Sequence, residues 1–74
     1  MIATIEGEFL SRREGKTQDG KEYNFTCVLT GDEVIRVYNY NPGAAVKRLD
    51  PVMVRVEQRQ GKNGQLYYDL ARDK

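Results

Sequence analysis

A small all-β barrel is the fold this sequence predicts, and three observations predict it. Two-residue alternation of apolar and polar side chains recurs along the chain, while helical spacing is almost absent. Aromatic and β-branched residues gather in short runs. Breaks rich in glycine, asparagine and proline separate those runs. The 74 residues are read as a single domain, residues 1–74. A chain this short buries only about 60% of its unfolded surface, so a partner or a second copy would add stability. Closing the sheet into a barrel also removes exposed strand edges.

The elements follow in order. Ile2 to Phe9 places Ala3, Ile5, Gly7 and Phe9 on one side and Thr4, Glu6 and Glu8 on the other. Tyr23 to Thr30 forms the second strand, and Gly31-Asp32-Glu33 reads as a turn. Val34 to Tyr40 is the third strand, ended by Asn41-Pro42-Gly43. Ala44 to Leu49 is expected to make one short helical turn before Asp50-Pro51. Val52 to Arg59 alternates Val52, Val54 and Val56 against Met53, Arg55 and Glu57. A turn at Gly61-Lys62-Asn63-Gly64 leads into a last strand, Gln65 to Arg72. Five strands with an irregular connection after the third fit a five-stranded OB-fold-like small barrel with a long first hairpin. An SH3-like barrel is the competing architecture. An OB-fold binds oligonucleotides across strands 2 and 3 and the loops joining strands 1–2 and 4–5.

Composition excludes several functions. The chain has no histidine, one serine and one cysteine, so no Ser-His or Cys-His pair can be assembled. A non-catalytic protein is expected. His or Cys clusters for metal ligation are lacking, and neither metal nor cofactor is expected. Cys27, within Phe25-Thr26-Cys27-Val28-Leu29, reads as a small buried hydrophobe. The absence of a disulfide points to a cytoplasmic setting. No run of about 18 apolar residues is present, so no membrane span is expected. The segment MIATIEGEF has neither the basic start nor the apolar centre of a secretory leader. Glu6 and Glu8 read as a solvated face.

The basic residues are distributed unevenly. Net charge is only +1, from 12 basic and 11 acidic residues. Between the first two apolar runs lies the polar stretch Arg12 to Glu22, which carries Arg12, Arg13, Lys16 and Lys21. Lys47 and Arg48 lie in the connection, and Lys62 sits in the last turn beside Arg59. Acidic residues cluster elsewhere, at Glu6, Glu8, Asp32 and Glu33. A near-neutral chain can in this way present one positive stripe to phosphates.

The aromatic residues point the same way. In VIRVYNY, alternation groups Arg36, Tyr38 and Tyr40 on one face and Ile35, Val37 and Asn39 on the other. The Ile35/Val37 side is expected inside, which leaves Arg36, Tyr38 and Tyr40 outside as a platform for unstacked bases. Leu66, Tyr68 and Leu70 are expected in the core, with Tyr67 outside. Tyr23 shares a face with Phe25, Cys27 and Leu29. Phe25 is expected in the core, and Tyr23 is compatible with either side. Arg12, Arg13, Lys16, Lys21, Arg36 and Lys62 are the phosphate-neutralising candidates, and Tyr23, Tyr38, Tyr40 and Tyr67 the stacking ones.

The spaced pattern Arg13-x-Gly15, Gly20-Lys21-x-Tyr23 and Gly64-x-Leu66-x-x-Asp69 resembles the filamentous-phage gene V type single-stranded DNA-binding proteins, over most of the chain. The resemblance implies that the first hairpin is a wing closing over single-stranded DNA. It gives Arg13 and Lys21 phosphate contacts and Tyr23 a stacking role. It also makes Phe25 a groove-lining residue, in competition with the core assignment. The family carries another basic residue where this chain has Gln18, with Lys16 two positions away. Glu22 stands where proline is common. The segment from Gly31 to Leu49 is shorter than the family's equivalent, which includes the loop that builds a two-fold dimer. The resemblance implies a homodimer, bacterial host cytoplasm, and a coating role in replication of phage or mobile-element DNA. Gly-Lys-x-Tyr hairpins and glycine turns also occur in other OB-fold proteins. The ending Leu70-Ala71-Arg72-Asp73-Lys74 lacks the acidic tail of cellular single-strand binders, which favours a stand-alone coating protein. Two alternatives remain open: a protein-interaction barrel using the exposed tyrosines, and RNA binding with repression of a message.

Overall fold

The computed structural model of the protein describes residues 2–71. Five strands form: β1 (Ile2–Lys16), β2 (Glu22–Thr30), β3 (Glu33–Tyr38), β4 (Pro51–Gln60) and β5 (Leu66–Leu70). They close into a barrel in the order β1-β2-β3-β5-β4. The β3–β5 pair is parallel and the other pairings are antiparallel. This is the expected OB-like architecture, and the SH3-like alternative falls away. Among the described residues no helix is long and apolar enough to cross a membrane.

β1 runs well past its expected end at Phe9 and serves two neighbours. Ile2 to Glu8 pairs with β4, and Glu8 to Lys16 pairs with β2. The change-over falls at Glu8, which faces Pro51 on one side and Leu29 on the other. A bulge between Phe9 and Ser11 follows at once. Bulges sharpen strand bend and twist, and here the bulge redirects β1 out of the wall. From Glu14 and Asn24 outward, past the last β2–β3 pair, β1 and β2 continue as a two-stranded arm. Most of the polar stretch from Arg12 to Glu22 is therefore hydrogen-bonded ladder, and only residues 17–21 form its tip. The Thr17 amide donates to the Lys21 carbonyl (2.8 Å), and Gly20, at φ +87°, closes the turn through the Thr17 carbonyl (3.0 Å). A side chain would be strained at that φ.

Alternation sets the interior. Ile5, Val28, Val37, Val54 and Val56 form the buried core, with Ile35, Tyr40, Val52, Tyr68 and Leu70 packed against it. Thr26 is fully buried, and its hydroxyl donates to the Tyr40 carbonyl at 2.5 Å. That bond removes the cost of burying a hydroxyl. β-Branched valines suit these positions because their stiff side chains pack on a pleated surface.

Three expectations of local structure are corrected. Ala44 to Leu49 forms separate turns, not a helical turn. The Leu49 amide donates to the Phe9 carbonyl (2.6 Å), and the Phe9 amide donates to the Asp50 carbonyl (2.9 Å), so these groups are spent on β1. Leu49 itself lies at φ +72°, outside helical geometry. Leu66, expected inside, is 62% exposed because β5 begins there, at the end of the barrel. Tyr40 turns inward against the core, not outward beside Tyr38. β3 ends at Tyr38, and Asn39 at φ +65° resets the alternation. The expected extension of β5 to Arg72, and the chain end from 72 to 74, lie outside the described residues.

At Gly7 β1 packs against β2 with no room for a side chain. A Cβ there would sit 2.2 Å from the Leu29 carbonyl oxygen and 2.9 Å from Val28 Cγ1. Backbone cannot yield as a flexible side-chain end can. Gly7→Ala is expected to destabilise the barrel by about 1–3 kcal/mol, read from urea unfolding. An unchanged midpoint would show that the β1–β2 contact has slack.

Candidate nucleic-acid interface

Pleating decides which β2 residues face out. Because Thr26 and Val28 are sealed inside, Phe25 and Cys27 lie on the outer wall. Cross-strand pairing then assembles one face: Gly15 opposite Tyr23, Arg13 opposite Phe25, Ser11 opposite Cys27 on the β1 side. On the β3 side Phe25 faces Tyr38 and Cys27 faces Arg36. The expectation of Phe25 in the core is thus corrected. Phe25 is only 7% exposed, but neighbouring outer-face rings and an arginine cover it, not the barrel interior. Cys27, expected to be buried, is half-buried on the same wall.

Four rings run in file across this face. Tyr23 and Phe25 are parallel, with centroids 6.3 Å apart and an interplanar angle of 8°. Phe25 and Tyr38 are tilted at 5.4 Å. Tyr38 and Tyr67 meet edge-on at 5.8 Å and 81°. Tyr67, on β5, reaches the file as expected, and Tyr23 proves to be an outer residue, 40% exposed. Gly15 makes room for it. A Cβ at Gly15 would lie 2.5 Å from the Tyr23 hydroxyl oxygen and 2.6 Å from Cζ. The Tyr23 phenol therefore crosses over the arm where its neighbour has no side chain. The Arg36 guanidinium carbon stands 5.0 Å from the Phe25 centroid, a cation–π contact of about 0.5–1 kcal/mol at an exposed site.

The file lines a groove of about 1090 Å³ bounded by the arm and its base, which contribute Arg12, Arg13, Glu14 and Thr17, with Arg36 and Tyr38 contributed by β3. A second depression of about 410 Å³ shares Arg36 and Tyr38 and continues to Tyr67 and the β4–β5 turn, through Gly61 and Gln65. Lys62 is exposed in that turn. The two loops expected to flank the groove thus lie at its two ends.

The cations divide into engaged and open groups. Arg13 and Lys21 make no ion pair with a described residue and are exposed. Lys16 approaches Glu22 at 4.0 Å, with both side chains largely in solvent, a pairing of little energetic consequence. Arg12 also lines the groove, but its guanidinium is already engaged. It donates to Glu14 Oε2 at 2.6 Å and to Asn24 Oδ1 at 3.2 Å, while its Nε is buried without a partner. Arg59, grouped with Lys62 by sequence, is held by Glu57 (3.0 Å) and Asp69 (3.3 Å). Asp69 also accepts from Asn39 Nδ2 at 2.8 Å, tying β5 to the end of β3. Tyr40 lies away from the file, and burial raises its phenol pKa above the ordinary value.

Sequence reasoning missed Gly15 as the residue that seats Tyr23, although the glycine was visible within the motif. It also missed Cys27 and Thr17 as groove residues. Comparison with protein-family models, curated proteins and solved structures finds no match for this chain.

The two adjacent arginines should separate in a stability measurement. Arg12→Ala is expected to cost about 1 kcal/mol, because it breaks two side-chain bonds on the arm and leaves Glu14 and Asn24 unpartnered. Arg13→Ala should stay within about 0.5 kcal/mol, as an exposed substitution. Equal losses in urea unfolding would contradict the division of roles.

Proposed function

We propose that this chain is a non-catalytic protein that binds and coats single-stranded DNA with little regard to sequence. One observation carries the reading: four aromatic rings, Tyr23, Phe25, Tyr38 and Tyr67, form a continuous file on the wall of the barrel beside a cationic arm. Aromatic rings offer every base a face to stack on, and cations track the phosphates. Arg13, Lys16 and Lys21 on the arm and Lys62 at the far turn serve as the phosphate partners. Tyr23, Tyr38 and Tyr67 serve as the stacking surfaces, with Phe25 as the centre of the file.

The arm suits this work because it is an ordered ladder, not a slack loop. Of the two adjacent groove-lining arginines at its base, Arg12 is tied to Glu14 and Asn24, which leaves Arg13 open to a phosphate. The resemblance to gene V type proteins, met in the Arg13-x-Gly15 and Gly20-Lys21-x-Tyr23 spacing, supports the same reading. It extends that reading to a homodimer and to replication of phage or mobile-element DNA.

Titration of the intrinsic tyrosine fluorescence with oligo-dT tests the proposal, since the chain has five tyrosines and no tryptophan. Quenching is expected, with log K falling linearly in log[salt]. Arg13→Ala should lower the magnitude of that slope by about 0.7, the share of one phosphate on a single strand. Tyr38→Ala should weaken binding by about 1 kcal/mol or more. Absence of binding at low salt, or affinity indifferent to salt, would overturn the proposal.

A further inference from the structure

Arg36 was expected among the phosphate partners, but its position fits a different task. It stands in the middle of the aromatic file, over Phe25, and lines both halves of the groove. Tyr23 lies 6.3 Å from Phe25 on one side and Tyr38 lies 5.4 Å away on the other. A base stacked on either tyrosine would lie beside the guanidinium, where its edge could be read. None of the guanidinium donors bonds a described residue, and no described carboxylate pairs with it. The contact with Phe25 holds the group in place and leaves its N–H fork free for a ligand. Arginine's planar fork matches two adjacent acceptors. Among the bases, guanine presents such a pair at O6 and N7, and the Arg–guanine contact is the commonest base-specific one.

We propose that Arg36 is a base-reading residue that favours guanine at one position of an otherwise sequence-tolerant single strand. The inference rests on the single-strand binding proposed above and names a preferred ligand within that site. Phe25 acts as the positioning residue, since it fixes the guanidinium between the two base platforms. The phosphates fall to the arm and to Lys62, at the edges of the file. Cys27, the cross-strand partner of Arg36, offers no competing charge there.

Competition against labelled oligo-dT tests this directly. The competitors are oligo-dT and the same oligonucleotide with one thymine replaced in turn by guanine, adenine, inosine or 7-deazaguanine. Guanine and inosine, which keep O6 and N7, are expected to bind at least about fivefold tighter than thymine at one position. Adenine and 7-deazaguanine are expected to lose most of that gain, although both stack as purines. Arg36→Ala should abolish the guanine preference while leaving the salt slope for oligo-dT unchanged, with folding checked by circular dichroism. The base-analogue series uses the unaltered protein and so stands even where the variant fails to fold. Guanine equal to adenine, or 7-deazaguanine equal to guanine, would overturn the inference while oligo-dT binding left the parent reading intact. A fall in the salt slope on removing Arg36 would return it to the phosphates. No binding by any oligonucleotide would overturn both.

Discussion

Pleat alternation along β2 is the constraint on which the rest depends. Thr26 and Val28 have no exposed surface, and their neighbours in the strand must face the other way. Phe25 and Cys27 are thereby committed to the outer wall, and the register passes the same commitment to β3, where Tyr38 and Arg36 stand opposite them. A one-residue slip would turn every one of these side chains. The buried Thr26 makes such a slip costly, because its hydroxyl would lose the Tyr40 carbonyl. One small polar residue in a valine core thus helps to hold four rings and an arginine in place on the surface.

The arm follows from a second constraint, the double use of β1. A strand long enough to pair with both β4 and β2 must bend between them, and the bulge after Phe9 makes that bend. Past it β1 has only β2 as a neighbour, and beyond the Arg13–Phe25 rung, where β3 pairing stops, the ladder is two-stranded. The arm is therefore anchored at the edge of the aromatic file. Its side chains divide by engagement: Arg12, Glu14 and Asn24 form a bonded cluster, while Arg13 pairs with no described carboxylate. That cluster orders the arm without using Arg13.

Much of this was legible in the sequence. Period-two alternation gave the strand count, the inward Val52, Val54 and Val56, the inward Val37 and the outward Tyr38 and Tyr67. It failed where the phase breaks for reasons invisible in a local window. Asn39 at positive φ ends β3 and sends Tyr40 inward. In β2 the apolar residues occupy both faces, so hydrophobicity did not separate Phe25 from Val28; the buried threonine did. The length of β1 was hidden because an arm ladder solvated on both sides has no apolar stripe. Gly15 was legible only as a motif letter, since its role depends on a phenol eight positions away across the hairpin.

The central claim is that unpaired DNA lies along the ring file on the β2–β3 wall. Aromatic proton shifts in NMR, followed during oligo-dT addition, test it most directly. The account predicts upfield ring-current shifts for Tyr23, Phe25, Tyr38 and Tyr67, with Tyr40 and Tyr68 little changed. Shifts centred instead on the opposite wall around Glu6 and Met53, with the four rings silent, would contradict it.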